Sequence, residues 1–354
     1  MAYTTIDDGS EYFQAQTYTG NASDGLAITN SGNSNLQPDW LWIKKRSGSG
    51  KHVLVDSTRG VNKQLFSDDT DAEQTSTKFV ASLDSDGFTL NDSSSGSGDT
   101  NTTSGGTYVG WQWKANGGTT STNNDGSTAS TVQANTTAGF SIVTFSRSAG
   151  GTITVGHGLG KKPDWIIVKS RQTTNNWVVT HKSLGTEMQD YYMILNGTDA
   201  SSNSNDIFGG EPTTSVFSTT NNVASNDNQV AYCFTSIKGY SKFGSYTGNG
   251  STGGAFVYTG FKPTWLMIKR TNDTGDWNII DTTRDTINVG TNSYLYAHVS
   301  DAEQTGSAGF DILSNGFKNR NTHSRANASG SNYVYFAFAE HPFVSSKGVP
   351  VTAR

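Results

Sequence analysis

The stretch PDWLWIKKR at residues 38–46 returns as PDWIIVKSR at 163–171 and again as PTWLMIKRT at 263–271. We call this nine-residue stretch the block. Each copy begins with proline, carries tryptophan two residues later, and carries lysine four residues after that tryptophan. Recurrence of so long a pattern is typical of a folding unit that is used more than once. The block therefore predicts three copies of one unit in this chain.

Two further landmarks accompany the block in each copy. Sixteen residues after the block tryptophan stands Asp56, His181 or Asp281, between a short aliphatic run and a turn that contains glycine or arginine. Each copy then closes with an aromatic pattern, YVGWQW, QVAYCF or YVYFAF. The count from the block proline to the valine of that pattern is 71, 67 and 71 residues. Matched spacing of three landmarks indicates that the copies share one fold.

The landmarks divide the chain into six predicted segments. The segment between the first two units lacks large side chains, so we expect an exposed linker there. Units of roughly 100 residues agree with the usual size of domains. The predicted segments are an N-terminal polar lead at 1–11, unit 1 at 12–114, a Gly/Ser/Thr/Asn-rich linker at 115–139, unit 2 at 140–238, unit 3 at 239–343, and a C-terminal tail at 344–354.

The sequence inside each unit predicts strands. Valine, isoleucine, threonine and aromatic residues carry the apolar content, which favours pleated, half-buried surfaces. No helical period continues for three turns. The pairs Asp86-Gly87 and Asn315-Gly316 suit tight hairpin turns with positive φ. The predicted fold class is all-β, with three tandem antiparallel β-sandwich-like repeat units.

Composition argues against several kinds of protein. A net charge of −5 gives no electrostatic reason to expect nucleic acid or an anionic membrane as partner. Cys233 is the only cysteine, so an intrachain disulfide is excluded, and we expect this residue to be a small buried one. No apolar stretch approaches 18 residues, so membrane insertion is not expected. The sequence MAYTTIDDGSEYF lacks the regions of a secretory signal, which predicts a cytosolic protein or another route of release.

The most conspicuous charged residues are two repeated pairs. Asp56 and Arg59 recur as Asp281 and Arg284, whereas unit 2 has His181 and Leu184 at the same places. One interpretation is a catalytic carboxylate with a substrate clamp. The other is a charge-assisted pair that pins the turn after a strand. We favour the structural interpretation because unit 2 keeps the frame without the pair, although neither is forced.

The tryptophan of the block also has two interpretations. Trp40, Trp165 and Trp265 could form platforms on which sugars stack, or they could lie in the core. The next position on the same face is Trp42, Ile167 or Met267, and such residues favour a core face. The block lysines Lys44, Lys169 and Lys269 follow on that face, and we expect each stem to cross the edge of the core with its amine in water.

Other candidate sites are weaker. The sequence LDSDGF at 83–88 is superficially similar to a calcium loop, but Ser82 and Ser93 stand where acidic ligands are required, so we interpret it as a turn. The run Gly156–Gly160 lacks the lysine and helix of a phosphate loop. The six histidines and six glutamates show no spacing of a metal site or an active site. We therefore predict no enzyme, assign no catalytic, cofactor-binding or metal residue, expect no cofactor, and leave receptor-binding residues unassigned.

Long motifs give the chain a family resemblance. AYTTIDD, the two YTGN motifs, LQPDWLWIKKR, HVLVDSTRGVNKQL, DAEQT, DSDGFTL and YVGWQWKANGG resemble tail-fibre-type virion proteins of marine tailed bacteriophages. These proteins carry tandem copies of a β-rich domain family of unknown function. TVGHGLGKKPDWIIVKSR, GYSKFGSYTGNGS and AFAEHPFVSSKGVPVTAR extend the resemblance over nearly the whole chain. The family has no agreed functional residues, so none is carried over.

The resemblance implies a non-enzymatic structural virion protein of tail-fibre or appendage type, which contributes to host-surface attachment. It implies assembly in the host cytoplasm, other tail or head proteins as partners, and a host glycan or protein as receptor. No heptads are present, so a homo-oligomer would have to form through β surfaces or through the virion. The alternatives are a capsid decoration or head-fibre protein, a glycan-binding module, or a polysaccharide-degrading enzyme that would need a close pair of carboxylates.

Overall fold

A computed structural model describes residues 4–94, 98–148, 150–224, 226–285, 288, 292–306 and 309–341. Its regular elements are 28 strands and two short 3-10 helices, Gly9–Glu11 and Met188–Asp190. All pairings between these strands are antiparallel, and the described residues contain no α-helix. The predicted all-β class is therefore confirmed. The unit boundaries remain predictions, and we keep the names unit 1, unit 2 and unit 3 for those ranges.

Unit 1 contains nine strands. Its landmarks lie where the patterns predict strands, with the block on the third strand and the aromatic pattern on the ninth. The strands are β1 Phe13–Thr19, β2 Leu26–Ile28, β3 Trp40–Lys45, β4 Val53–Asp56, β5 Lys63–Gln64, β6 Gln74–Thr75, β7 Val80–Asp84, β8 Gly87–Leu90 and β9 Thr107–Trp113.

In units 2 and 3 the block and the aromatic pattern again lie on strands, in the same order as in unit 1. Between units 1 and 2 lie β10 Ser121–Asn123 and β11 Ser130–Asn135. Unit 2 has β12 Phe140–Arg147, β13 Ile153–Gly156, β14 Trp165–Ser170, β15 Val178–His181, β16 Tyr191–Ile194, β17 Ser202–Asn203, β18 Val216–Thr219 and β19 Asp227–Phe234. Unit 3 has β20 Ser241–Thr247, β21 Phe256–Tyr258, β22 Trp265–Arg270, β23 Trp277–Asp281, β24 Ser293–Tyr296, β25 Gln304–Thr305, β26 Phe310–Leu313, β27 Gly316–Asn319 and β28 Asn332–Phe338.

Each unit has a main sheet in which the strands pair in the same order. Four strands follow the order β1-β9-β3-β4 in unit 1, β12-β19-β14-β15 in unit 2 and β20-β28-β22-β23 in unit 3. In unit 2 they belong to an eight-stranded sheet that also has β10-β11 before them and β16-β17 after them, and in unit 3 β24-β25 follow them in a six-stranded sheet. The closing aromatic strand thus lies beside the block strand each time. A smaller outer sheet accompanies each main sheet: β2-β8-β7, β13-β18 and β21-β27-β26.

Both faces of every main sheet are buried. One face packs against the outer sheet of its own unit, and the other faces a central core shared by all three units. In the block strand of unit 1, Trp40 and Trp42 lie in the central core, while Leu41 and Ile43 lie in the core of unit 1. The half-buried surface expected for such strands is therefore wrong for the main sheets. Burial on both faces explains why their block strands are apolar at consecutive positions.

The segment predicted as an exposed linker is part of the fold. Strand β11 pairs with β12 along its whole length, and Val132 is buried. The side-chain amide nitrogen of Gln133 donates to the hydroxyls of Ser57 and Thr58 in unit 1, each at 2.9 Å. Residues 116–129 are mostly exposed, as predicted. The linker prediction is wrong for β10 and β11, because strand pairing uses backbone groups and a segment without large side chains can still join a sheet.

The N-terminal lead also differs from its prediction as a polar segment, since Ile6 lies in the central core. Asp8 caps the first 3-10 helix, accepting a hydrogen bond of 2.9 Å from the backbone N–H of Ser10. The predicted tail at 344–354 lies outside the described residues. Within the part of the chain that the structure describes, no helix has the length and apolar character needed to cross a membrane.

Candidate functional site

The block tryptophans form the centre of the molecule. Trp40, Trp165 and Trp265 are all fully buried. Each contacts a ring on the closing strand of another unit, and the ring centroids lie 4.4 Å apart for Trp40 and Tyr232, and 4.4 Å for Trp165 and Phe336. The core interpretation is confirmed for all three tryptophans. Because these rings have no exposed face, they cannot serve as sugar platforms.

The Asp56–Arg59 pair lies where units 1 and 2 meet. The Asp56 carboxylate accepts hydrogen bonds from the backbone N–H of Arg59 at 2.8 Å and from its Nε at 2.5 Å. It also accepts the hydroxyl of Tyr232, in unit 2, at 2.7 Å. Thus the prediction that this pair pins the turn is confirmed. The sequence did not predict that the pair also joins two units.

A second carboxylate extends this network. Glu73 accepts a hydrogen bond of 2.9 Å from Arg59 and a bidentate pair from Arg171, at 2.8 and 2.9 Å. Arg171 belongs to unit 2, so the glutamate bridges the arginines of both units. We call Asp56, Arg59, Glu73, Arg171 and Tyr232 the 1–2 network. Bidentate arginine–carboxylate pairs are among the strongest side-chain contacts, because they combine charge with fixed geometry.

Units 3 and 1 meet through an equivalent 3–1 network of Asp281, Arg284, Glu303, Arg46 and Trp111. Within it Arg284 Nε donates to Asp281 at 2.6 Å, and Arg46 forms a bidentate pair with Glu303, at 2.8 and 2.9 Å. Arg284 also donates to Glu303 at 2.7 Å. The indole N–H of Trp111 donates to Asp281 at 2.9 Å. Trp111 thus has the role that Tyr232 has in the 1–2 network, where its hydroxyl donates to Asp56.

Units 2 and 3 meet without these charges. His181 and Leu184 replace the aspartate and arginine, Ser201 replaces the glutamate, and Thr271 replaces the bidentate arginine. The aromatic position is Phe336, whose ring lies 5.0 Å from the His181 ring. The backbone contact is nevertheless retained. The N–H of Ser201 donates to the carbonyl of Thr271 at 2.8 Å, as the N–H of each glutamate does in the other contacts, at 2.9 Å.

Burial sets the protonation of these groups. Burial lowers the pKa of His181 to about 3, so its ring is neutral at physiological pH. Burial alone would raise the pKa of Glu73, but hydrogen bonds from Arg171 and the charge of Arg59 outweigh it and hold the pKa below its usual value. The pKa of Glu303 is lowered in the same way, against the effect of burial, by Arg46 and Arg284. The two bridging glutamates are therefore ionised, and the histidine of the third contact is neutral.

The block lysines occur in all three contacts. Lys44, Lys169 and Lys269 are fully buried, and each amine donates to backbone carbonyls of the preceding unit in the ring. The acceptors are Ser300 at 3.1 Å, Thr70 at 3.0 Å, and Thr198 and Asp199 at 3.2 and 2.9 Å. The expectation that these amines lie in water is therefore wrong. Burial lowers the pKa of each to about 8.

A further position repeats the same exchange between units. The indole N–H of Trp177 donates to the carbonyl of Phe66 at 2.7 Å, and that of Trp277 donates to Ile194 at 2.9 Å. His52 occupies this position in unit 1, with its Nε2 at 2.9 Å from the carbonyl of Tyr296. Each unit thus touches the one before it and the one after it, which closes a ring of three.

The other candidate motifs have structural roles. At 83–88, Asp84 pairs with Gly87 across the hairpin and accepts the hydroxyls of Ser82 and Thr89 at 2.6 and 2.7 Å. The turn interpretation is confirmed. Cys233 is buried in the core of unit 2, as expected for a small buried residue. No cluster of metal-ligating side chains occurs among the residues that the structure describes.

Sequence reasoning missed the partners Glu73, Glu303, Arg46 and Arg171, which lie far from the aspartates along the chain. One signal could have found them. The glutamate of DAEQT is Ser201 in DASSN, and the last arginine of the block is Thr271 in unit 3. These replacements fall on the two sides of the contact that also has His181 and Leu184. Loss of every charged member at one contact indicates that the members touch.

Residues 8–342 match a family described as a domain of unknown function, DUF7483. The chain belongs to this family. One match of DUF7483 spans all three predicted units, so the contacts between units lie inside a single family domain. Neither the curated proteins nor the solved structures contain a match to the chain. The chemistry of this DUF7483 member therefore has to be argued from its own residues.

Proposed function

We propose that this DUF7483 chain is a non-enzymatic structural protein of a tailed bacteriophage particle, of tail-fibre or appendage type, that contributes to host attachment. The observation that carries the proposal is the structural role of the repeated polar residues. The aspartate–arginine pairs, the bridging glutamates and the block lysines all hold neighbouring units together. A protein displayed on a particle needs a scaffold of this kind.

The charged networks give little support to a catalytic role. Asp56 and Asp281 are buried, and each is engaged by an arginine and by an aromatic donor from another unit. A general acid or nucleophile must reach a substrate in a cleft. A carboxylate enclosed between packed units offers no such access, so the polysaccharide-degrading alternative would have to use other residues.

The position on the particle is open between tail and head, and the resemblance to tail-fibre-type proteins favours the tail. We further propose that other virion proteins are its partners and that it forms a homo-oligomer through β surfaces. Three sandwiches closed into one ring leave their outer sheets on the outside, available to such partners or to a host surface. Assembly would take place in the host cytoplasm.

The test is the protein content of intact particles. Phage would be purified by density gradient and washed at high salt, and tryptic peptides of this chain would be quantified against the major capsid protein. We expect a fixed ratio that survives washing. Labelling with a specific antibody in electron micrographs would then distinguish tail from head.

A soluble replication protein of the same phage provides the control for contamination. Peptides of this chain that fall with washing in parallel with that control would overturn the proposal. For the attachment role, antibody fragments against the chain should slow adsorption of phage to its host. Unchanged adsorption at saturating antibody would contradict that part.

A further inference from the structure

Two aromatic side chains on the outer sheet of unit 3 are exposed to solvent. Phe256 is 48% exposed and Tyr258 is 53% exposed, and they are the large hydrophobic side chains that stand out on the described surface. They lie at alternate positions of β21, on either side of the buried Val257. Side chains at alternate positions of a strand face the same way, about 7 Å apart. The two rings therefore share the outer face of the sheet.

The equivalent edges in units 1 and 2 lack this feature. By their pairing with β8, the equivalent residues in unit 1 are the exposed pair Ala27 and Thr29. In unit 2 the segment before β11 covers the edge. Ser127 N–H donates to the hydroxyl of Thr154 at 2.8 Å, and Ser130 donates to the carbonyl of Gly156 at 2.8 Å. Unit 3 alone presents open aromatic residues at this position, so the shared fold does not require them.

Cationic side chains flank the rings. The Lys242 amine lies 5.1 Å from the centroid of the Tyr258 ring and donates to the Tyr258 carbonyl at 2.8 Å. Lys318 is directly opposite Phe256 on β27, so it shares the outer face. Neither lysine forms an ion pair with a carboxylate among the described residues. Asp311, opposite Lys318, is paired with Arg320 at 3.3 Å.

The size of the patch limits what can occupy it. About half of each ring is exposed, which gives roughly 150–250 Å² of aromatic surface for the pair. A stable protein contact buries about 800 Å² on each partner. The patch is far too small to hold a second copy of the chain or another protein by itself. It is the right size for a ligand of one or two rings.

We propose that Phe256, Tyr258, Lys242 and Lys318 form a binding site for a carboxylate-bearing saccharide, such as an acidic polysaccharide on a cell surface. The aromatic rings stack against the apolar C–H faces of sugar rings, and the two amines receive the carboxylates. The inference rests on the proposed function only for the source of the saccharide.

The experiment measures binding by the isolated full chain. Tetragalacturonate, oligomannuronate and sialyllactose serve as acidic probes, maltotetraose as the neutral probe, and a ten-residue oligothymidylate as the nucleic-acid probe, all by titration calorimetry. We expect an acidic saccharide to bind at least about tenfold more tightly than maltotetraose, and added salt to weaken it.

Matched variants come from the chain itself. The double variant F256A/Y258T gives unit 3 the residues that unit 1 already carries at this edge, so it should keep the thermal stability of the wild type. We expect its affinity for the acidic saccharide to fall about tenfold or more. Lys242→Met should weaken binding of the acidic probe and leave the affinity for maltotetraose unchanged. The reverse variant, A27F/T29Y, places the two aromatic residues on unit 1 and tests whether they suffice for binding. We expect this new site to bind the acidic saccharide more weakly than the site in unit 3, because the lysines are absent.

Three results would overturn the proposal. They are absence of binding to every acidic probe, equal or tighter binding of oligothymidylate, and a concentration-dependent dimer that F256A/Y258T abolishes. The last result would assign the patch to a second copy of the chain. Virion content is measured on particles and saccharide binding on purified protein, so failure of this proposal is distinguishable from failure of the proposed function.

Discussion

The contact between units 1 and 2 and the contact between units 2 and 3 share a backbone arrangement but differ in nearly every side chain. The first is held by the 1–2 network, with two carboxylates and two arginines. The second has His181, Leu184, Ser201, Thr271 and Phe336 at the corresponding places. The ring closes in both ways. Backbone hydrogen bonds, the block lysine, the Trp277 indole and the shared core therefore position units 2 and 3 without the charged network, which is kept or lost as a set.

This difference has a physical basis. A buried ion pair gains Coulomb energy but loses the hydration of both ions, so replacing the whole set by apolar groups is often neutral or stabilising. Removing one member is costly because the others remain buried and unpaired. The difference between the contacts thus depends on whether the whole charged set is present or absent, and not on the strength of a single bond.

The largest expected effect comes from removing one arginine. Arg59→Ala leaves Asp56 buried without its cation and removes one of the two arginines of Glu73, and we expect a loss of about 3–5 kcal/mol in the free energy of unfolding. Arg284→Ala should behave alike. The matched variant at the neutral contact, Leu184→Ala, should lose about 1–2 kcal/mol because that side chain is only partly buried. Urea denaturation measures all three, and equal losses would contradict the comparison.

Acid should act on the charged contacts through their glutamates, and on the third contact through His181, whose pKa of about 3 means that its protonation favours the unfolded chain as pH falls. The pKa values of Glu73 and Glu303 lie below the unfolded value, so their contribution is present above about pH 4.5 and is lost as pH falls through the folded values. We expect the two glutamates to contribute about 1–3 kcal/mol to the fall in the unfolding free energy on acidification from pH 5 to pH 3. Chemical denaturation across this range tests the prediction.

A variant lacking both glutamates, E73Q/E303Q, separates this effect from general acid unfolding. It should start less stable at pH 5 and lose less between pH 5 and pH 3. An identical slope in variant and wild type would assign the acid sensitivity to His181 or to other carboxylates.

Converting one contact into the other is expected to change less than Arg59→Ala alone. The five substitutions D56H, R59L, E73S, R171T and Y232F give the 1–2 contact the residues of the 2–3 contact. We expect stability within about 2 kcal/mol of the wild type, because no charge is left unpaired. Denaturation and far-UV circular dichroism provide the readout. A loss as large as that of Arg59→Ala would show that the two sets are not interchangeable.

The smallest differences are expected for the residues that all contacts share. Lys44→Met, Lys169→Met and Lys269→Met should change stability by amounts that agree within about 1 kcal/mol, because each buried amine donates to backbone carbonyls of the preceding unit. The folded pKa of each lysine is about 8 and the unfolded value is 10.5, so wild-type stability should rise between pH 8 and pH 10. The gain should shrink by a similar share in each variant, and unequal shrinkage would contradict equivalence of the three lysines.

Much of this architecture follows from sequence patterns alone. The repeated block, the Asp–Gly hairpin and the apolar strands predict the all-β class, and the conserved frame around His181 predicts a structural role for Asp56 and Arg59. These inferences succeed because they depend on neighbouring residues or on comparison between copies. The core position of the block tryptophans follows in the same way, from the apolar residues that share their face.

The central core and the networks between units do not follow from such patterns. The alternation of a strand says which residues share a face, but not that a second sheet covers the other face as well. Glu73 and Arg171 lie 98 residues apart, and no local rule pairs them. For the same reason local patterns predict a linker at 115–139, although the backbone of β10 and β11 extends a sheet. The exposed pair Phe256 and Tyr258 has an alternating pattern typical of an ordinary strand.

The closed ring of units on one polypeptide has a consequence for variation. If the same ring were a trimer of separate identical subunits, symmetry would repeat each substitution at three places. A destabilising substitution would then weaken all three contacts. Here a change falls on one contact only, while the covalent links keep the units at high effective concentration. A single chain can therefore lose the charges at one contact between units and keep them at the other two. It can also carry a ligand-binding surface on one unit and not on the others.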